Sequence, residues 1–233
     1  MDNNTLPNSA DFHPAPGLVP THIGIIPDGG RRWAKVHECS LQEAYSVARA
    51  KLQEYVNYLY DCGVFEISIY LSSIQNFKRE ADELDANLDI VETSLNNLIA
   101  ILAKQRNIRV VMAGNREILP ASFLTEVELL ERLTLNNKGG RLNLLIAYDP
   151  IEEIEQAIKS KENNDHFIKN LWVTTPVDFI IRSGKAPLLS NFLPIQSGFA
   201  RLYFFGKLFN DLTIEDVICA LGNFSSLERK FGE

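Results

Sequence analysis

The residues best suited to chemistry stand together at 28–32, where the apolar run "HIGII" gives way through Pro27 to Asp28, Gly29, Gly30, Arg31 and Arg32. Glycines let backbone N–H groups approach an anion closely, a helix start adds partial positive charge, and arginines grip phosphate oxygens in pairs. Such a cluster suits a diphosphate, and Lys35 is one more cation nearby. A carboxylate among these donors makes sense if a divalent cation bridges it to phosphate oxygens. The residues alone leave a plainer reading open, in which Asp28 caps a helix and the arginines lie in solvent. The fixed glycine and lysine positions of nucleotide phosphate loops are not met.

The cluster needs a scaffold that delivers it, and the chain supplies one. Short β-rich runs at 22–26, 65–73, 108–114, 141–148, 177–184 and 201–206 alternate with amphipathic patterns at 40–63, 81–105, 122–135, 151–161 and 213–232. Near-continuous apolar strands separated by such helices predict a single α/β domain, its six-stranded, mostly parallel sheet covered by helices on both faces. Ligands bind beyond the carboxyl ends of the strands in that architecture, and Asp28 follows the first strand directly. Residues 1–20, polar and proline-bearing, read as a disordered arm, and 21–233 as the domain.

Composition narrows the functions. A formal net charge of −7 gives no basic footprint for nucleic acid or anionic lipid, while leaving room for one phosphorylated molecule at a local basic cluster. Cys39, Cys62 and Cys219 are odd in number and far apart, as expected of reduced thiols in a cytoplasmic protein. No apolar run has the length of a membrane span. His37 and Cys39 lack the further ligands of a tetrahedral metal site, and "GKAPLLS" lacks a nucleotide loop's glycines.

"HIGIIPDGGRRWAK" resembles the first signature of the cis-prenyltransferases, the undecaprenyl diphosphate synthase family, H-x-x-x-x-M-D-G-N-G-R-W-A. "YLSSIQNFKRE" is similar to that family's S-S-E-N-W-x-R segment, "VDFIIRSGKAPLLSNFLPIQSGFARLYF" to its long C-terminal signature, and "LERKFG" to E-R-R-F-G. The resemblance runs in order from His22 to the end of the chain. It implies the cis-prenyltransferase fold, Mg²⁺ as cofactor, prenyl diphosphate substrates and a homodimer. Asp28 would work with Mg²⁺ on an allylic diphosphate held by Gly29, Gly30, Arg31, Arg32 and Trp33. Ser73, Asn76 and Arg79 match the second signature, where Asn76 and Arg79 orient the reacting groups. Arg182 and Ser190 match ligands of the second substrate. Leu84, Leu88, Val91, Leu95, Leu98 and Leu102 would line the cleft for the prenyl tail. Tyr45 is a candidate cleft residue, as a proton-transfer group or as plain packing.

The departures redirect the expected reaction. Leu188 stands where the family has a second arginine, forfeiting a charge-assisted interaction of roughly 1.5–3 kcal/mol. Arg201 replaces an acidic metal ligand, and would instead hold a diphosphate directly. Leu41, Ala44 and Tyr45 fall where an arginine and a Gly-His pair are usual. "IPDGGRRW" followed by "SLQEAY" resembles the lavandulyl and cyclolavandulyl diphosphate synthase branch, which joins two dimethylallyl diphosphates head to middle. The expected activity is therefore irregular condensation of allylic diphosphates. The alternatives are a one-substrate terpene cyclase, regular cis elongation with isopentenyl diphosphate, and a non-catalytic partner subunit.

Overall fold

The structure is a computed structural model, and residues 19–78, 105–160 and 166–226 are described. Their centre is a six-stranded sheet of β1 (His22–Ile26), β2 (Glu66–Tyr70), β3 (Ile108–Ala113), β4 (Gly140–Leu145), β5 (Phe179–Arg182) and β6 (Arg201–Phe204). The strand order is β3-β4-β2-β1-β5-β6 and every pairing is parallel, so the sheet is wholly rather than mostly parallel.

Side chains alternate across the sheet. One face sets Ile23, Ile25, Ile67, Ile69, Leu142 and Leu144 against α2 (Leu41–Asp61), α3 (Ala121–Thr134) and α5 (Ile214–Ser226). The other packs Ile26, Leu145, Tyr148 and Ile180 beneath Val173, Val177, Phe192 and Leu193, and α4 (Pro150–Lys159) reaches it through buried Glu153, which accepts from the Tyr148 hydroxyl at 2.6 Å.

Local chemistry fixes the elements near the cavity. Ser40 caps α2 in a reciprocal box: the Glu43 N–H donates to the Ser40 hydroxyl at 3.1 Å, and the Glu43 carboxylate takes the Ser40 N–H at 2.8 Å. Asp149 caps α4, accepting from the Ile151 N–H at 2.8 Å, with Pro150 pre-set in the first turn. β2 and β4 end earlier than their apolar runs predict. Ala147 turns the chain at φ 50°, and the Leu71 and Ser72 amides both close onto the Leu145 carbonyl.

The strand order creates one crevice. Beyond β1 the chain crosses toward β2, and beyond β5 it crosses to the opposite side toward β6, so the two carboxyl ends part between neighbouring strands. That is where parallel sheets bind ligands. The predicted arm and the predicted tail-binding helix lie, for residues 1–18 and 81–104, outside the described residues, as does Arg79.

Candidate active site

Ile26 of β1 pairs in register with Arg182, the last residue of β5. Asp28, two residues on, sits between two guanidinium groups: Arg182 Nη2 donates to Oδ2 at 2.9 Å and Arg32 Nη2 to Oδ1 at 3.2 Å. The Arg182 side chain is only 7% exposed, whereas Arg32 reaches half into solvent. Arg182 Nη1 also donates to Ser190 Oγ at 2.8 Å and to the Leu188 carbonyl. The backbone of Asp28 is held as firmly. Its N–H donates to Ser183 Oγ at 2.8 Å, and its carbonyl accepts from the Ser183 hydroxyl at 2.9 Å and the Phe209 N–H at 3.1 Å.

α1 (Gly30–Val36) then begins with Gly29 as its N-cap at φ 113°, a conformation open to glycine. No side chain caps this helix, so Asp28 is not spent as a cap, which removes one half of the plainer reading; Arg31 and Arg32 are exposed, as its other half has them. On the far wall, Asn76 lies in the 3₁₀ turn Ile74–Lys78. Its Oδ1 accepts from the Ser73 N–H and hydroxyl, both at 2.8 Å, so the carbonyl end of the amide is held by the turn and the NH₂ is the side chain's donor.

These walls enclose a cavity of about 620 Å³. Asp28, Gly29, Gly30, Arg31, Arg32, Tyr45, Ser73, Asn76, Arg182 and Ser190 all line it, so ten of the sequence-predicted residues converge. Lys35 lines it too, setting four cationic side chains against one carboxylate among the described residues. Tyr45 packs under Gly30, where a Cβ would come 3.1 Å from its ring. Two predicted residues lie elsewhere. Trp33 donates its Nε1–H to Asp211 at 2.7 Å and stacks on His37, centroids 4.0 Å apart, away from the cavity. Arg201 is the first residue of β6, at the amino end of the sheet, where its Nη1 donates to the Phe224 carbonyl at 2.6 Å and its guanidinium lies 5.0 Å from the Phe224 ring centre. The exposed Leu188 side chain puts no charge in place of the missing arginine.

Sequence reasoning missed Tyr70, Ser183 and Gly184. Tyr70 ends β2, lines the cavity, and donates to the Ser190 carbonyl at 3.1 Å. Ser183 and Gly184 follow Arg182 directly, and position after a strand-end arginine was the available signal. Tyr70 gave none, since an aromatic residue ending a strand is ordinary.

The fold aligns with the crystal structure of lavandulyl diphosphate synthase from Lavandula x intermedia, determined with dimethylallyl diphosphate, at a TM-score of 0.86 and 28% identity over 93% of this chain and 99% of that one. The undecaprenyl diphosphate synthase family model matches residues 26–232. The chain belongs to this family of cis-prenyltransferases. Among its relatives are the geranylgeranyl-diphosphate-specific tritrans,polycis-undecaprenyl-diphosphate synthase of Pyrococcus furiosus, 30% identical over 93% of this chain and 88% of that protein, and an isoprenyl transferase of Thermotoga maritima, 30% identical over 92% and 97%. The relatives it matches are synthases and transferases, and the cavity agrees with an enzyme. No cluster of three or more acidic, histidine or cysteine ligands occurs among the described residues. One carboxylate beside a diphosphate cradle nevertheless fits Mg²⁺, which commonly takes one or two protein carboxylates and completes its shell with phosphate oxygens and water.

Proposed function

We propose that this enzyme transfers an allylic prenyl group with Mg²⁺, and that its reaction joins two allylic diphosphates such as dimethylallyl diphosphate in a branched, head-to-middle manner. The observation that carries the reading is Asp28 set between Arg32 and Arg182 at the parting of β1 and β5, in a cavity that Gly29 and Gly30 also line. An allylic C–O bond breaks as charge develops on the departing diphosphate, and pre-placed cations and N–H donors lower that barrier directly. Bound Mg²⁺ would add charge neutralisation of the leaving group, with Asp28 as its protein ligand. Arg31, Arg32 and Lys35 would hold the first diphosphate, Asn76 and Arg79 orient it, and Arg182 with Ser190 receive the second. Leu188 and the distant Arg201 leave that second subsite without the arginine and metal ligand that isopentenyl diphosphate uses in the family, which favours a second allylic substrate. Exposed Phe199, Leu202 and Phe204 at the β6 edge support pairing of two copies.

Regular cis elongation is the competing reading, favoured by relatives named for undecaprenyl synthesis. Product analysis separates the two. With Mg²⁺ and dimethylallyl diphosphate alone, a branched ten-carbon diphosphate is expected, and Asp28→Ala should abolish it. Product formed only when isopentenyl diphosphate is added would establish elongation instead.

A further inference from the structure

Tyr70 belongs to neither loop that faces the diphosphates, yet it joins them. Its hydroxyl donates to the Ser190 carbonyl at 3.1 Å, and the Ser73 hydroxyl lies beside the same phenol. The ring is held edge-on to Tyr148, centroids 6.0 Å apart, and tilted against Phe192 at 5.7 Å, both of them fully buried. The phenol therefore has a fixed place between the Ser73–Asn76 turn and the loop after β5.

That loop needs holding. Ser190, Asn191 and Leu193 stand at φ 50°, 62° and 40°. Left-handed backbone is unfavourable for residues with a Cβ, and it persists where surrounding contacts over-determine it. Two side chains supply such contacts at Ser190: Arg182 Nη1 takes its hydroxyl oxygen at 2.8 Å, and Tyr70 takes its carbonyl. The two bonds act on opposite ends of one residue, so together they fix its rotation as well as its position. Burial pushes the Tyr70 phenol up to about 12, which keeps it a donor at any working pH.

We propose that Tyr70 is a positioning residue: its hydroxyl fixes the left-handed Ser190 so that Ser190 Oγ and Arg182 face the Ser73–Asn76 turn at a set separation, and this tunes the second diphosphate subsite. The proposal rests on the function proposed above, and it assigns Tyr70 an effect transmitted through Ser190.

Calorimetric titration of inorganic pyrophosphate with Mg²⁺ into wild type, Tyr70→Phe, Ser190→Ala and the double variant tests it. Phenylalanine keeps the ring contacts with Tyr148 and Phe192, so melting should stay within about 2 °C of wild type for the loss of one partly exposed bond. Pyrophosphate affinity should fall about fivefold, as one hydrogen bond commonly does. Ser190→Ala should weaken the same site, and adding Tyr70→Phe to it should cost less than twofold more, because the hydroxyl being positioned is already gone. In turnover, Tyr70→Phe should raise the half-saturating substrate concentration and leave the saturated rate unchanged. Wild-type affinity in Tyr70→Phe, or losses in the double variant that multiply, overturn the proposal. A wild type that binds pyrophosphate but converts no prenyl diphosphate overturns the proposed function alone, and one that binds no pyrophosphate overturns both.

Discussion

Gly184 follows the strand-end Arg182 by two residues at φ 89°, and its Cα faces the ion pairs of the cavity. A Cβ there would lie 2.8 Å from Arg32 Nη2 and from Asp28 Cγ, well inside the 3.4 Å at which ordinary contact begins. Gly63 provides the control. Its φ of 93° is nearly the same, yet a Cβ there would meet nothing within 4 Å. The left-handed backbone alone costs alanine roughly 1–2 kcal/mol at either position. In a domain of this size each kcal/mol moves the melting temperature by about 2–4 °C, so Gly63→Ala should melt about 2–8 °C lower and turn over normally. Gly184→Ala must in addition push the Asp28 carboxylate off the line to Arg182, whose guanidinium is buried and loses a charge-assisted bond of about 1.5–3 kcal/mol. Its melting temperature should fall further than that of Gly63→Ala, and turnover should drop about 10- to 100-fold. Differential scanning fluorimetry and product formation from an allylic diphosphate read both effects. A Gly184→Ala enzyme that melts like Gly63→Ala and turns over like wild type would refute the account of Asp28 as a carboxylate held in place by contact.

The two residues outside the cavity should behave as packing groups: Trp33→Phe and Arg201→Ala are each expected to lower melting by a few degrees, about 1 kcal/mol for the lost bonds to Asp211 and the Phe224 carbonyl, with pyrophosphate affinity unchanged. His22 should make stability pH-dependent. Its ring lies buried between the Pro176 carbonyl and the Ser68 hydroxyl, and burial lowers its pKa below the ordinary 6.5. The unfolded chain therefore takes up a proton that the folded one refuses, and this contribution to stability is complete above pH 6.5 and lost as pH falls below it. Urea midpoints at pH 7.5 and 5.5 should differ more for wild type than for His22→Gln, and equal differences would sink the assignment.

Periodicity placed the strands well because each is apolar and bounded by turn residues, and β1 falls on its predicted span. The ends of β2 and β4 escaped it, since they are set by a left-handed turn at Ala147 that apolar residues do not announce. The site was legible where side chains follow a strand's carboxyl end, as Asp28 and Ser190 do. Arg201 shows the opposite case. As the first residue of a predicted parallel strand, it had to stand at the end of the sheet remote from Asp28, and a motif read by order alone ignores that direction. Trp33 escaped for a related reason: on α1 it faces Asp211, while Arg31, Arg32 and Lys35 face the cavity.

Charge was informative on two scales that disagree. The net −7 of the whole chain argues against polyanion partners, and it misdescribes the cavity, where Arg31, Arg32, Lys35 and Arg182 outweigh Asp28. A surplus of that size attracts a small multivalent anion over several ångströms while the acidic surroundings repel extended ones. Asp28 has a structural part beside the metal ligation proposed for it. Without its carboxylate the guanidinium of Arg182 would be a buried charge whose partners among the described residues are neutral oxygens, a costly arrangement. A diphosphate would compete with Asp28 for Arg182 and Arg32, and the carboxylate oxygens so released would be available to hold Mg²⁺. Anion and dication would then bind cooperatively. Pyrophosphate affinity measured against Mg²⁺ concentration should rise at least tenfold across saturation in wild type and be nearly flat in Asp28→Asn; parallel curves would show that the carboxylate and the metal act apart.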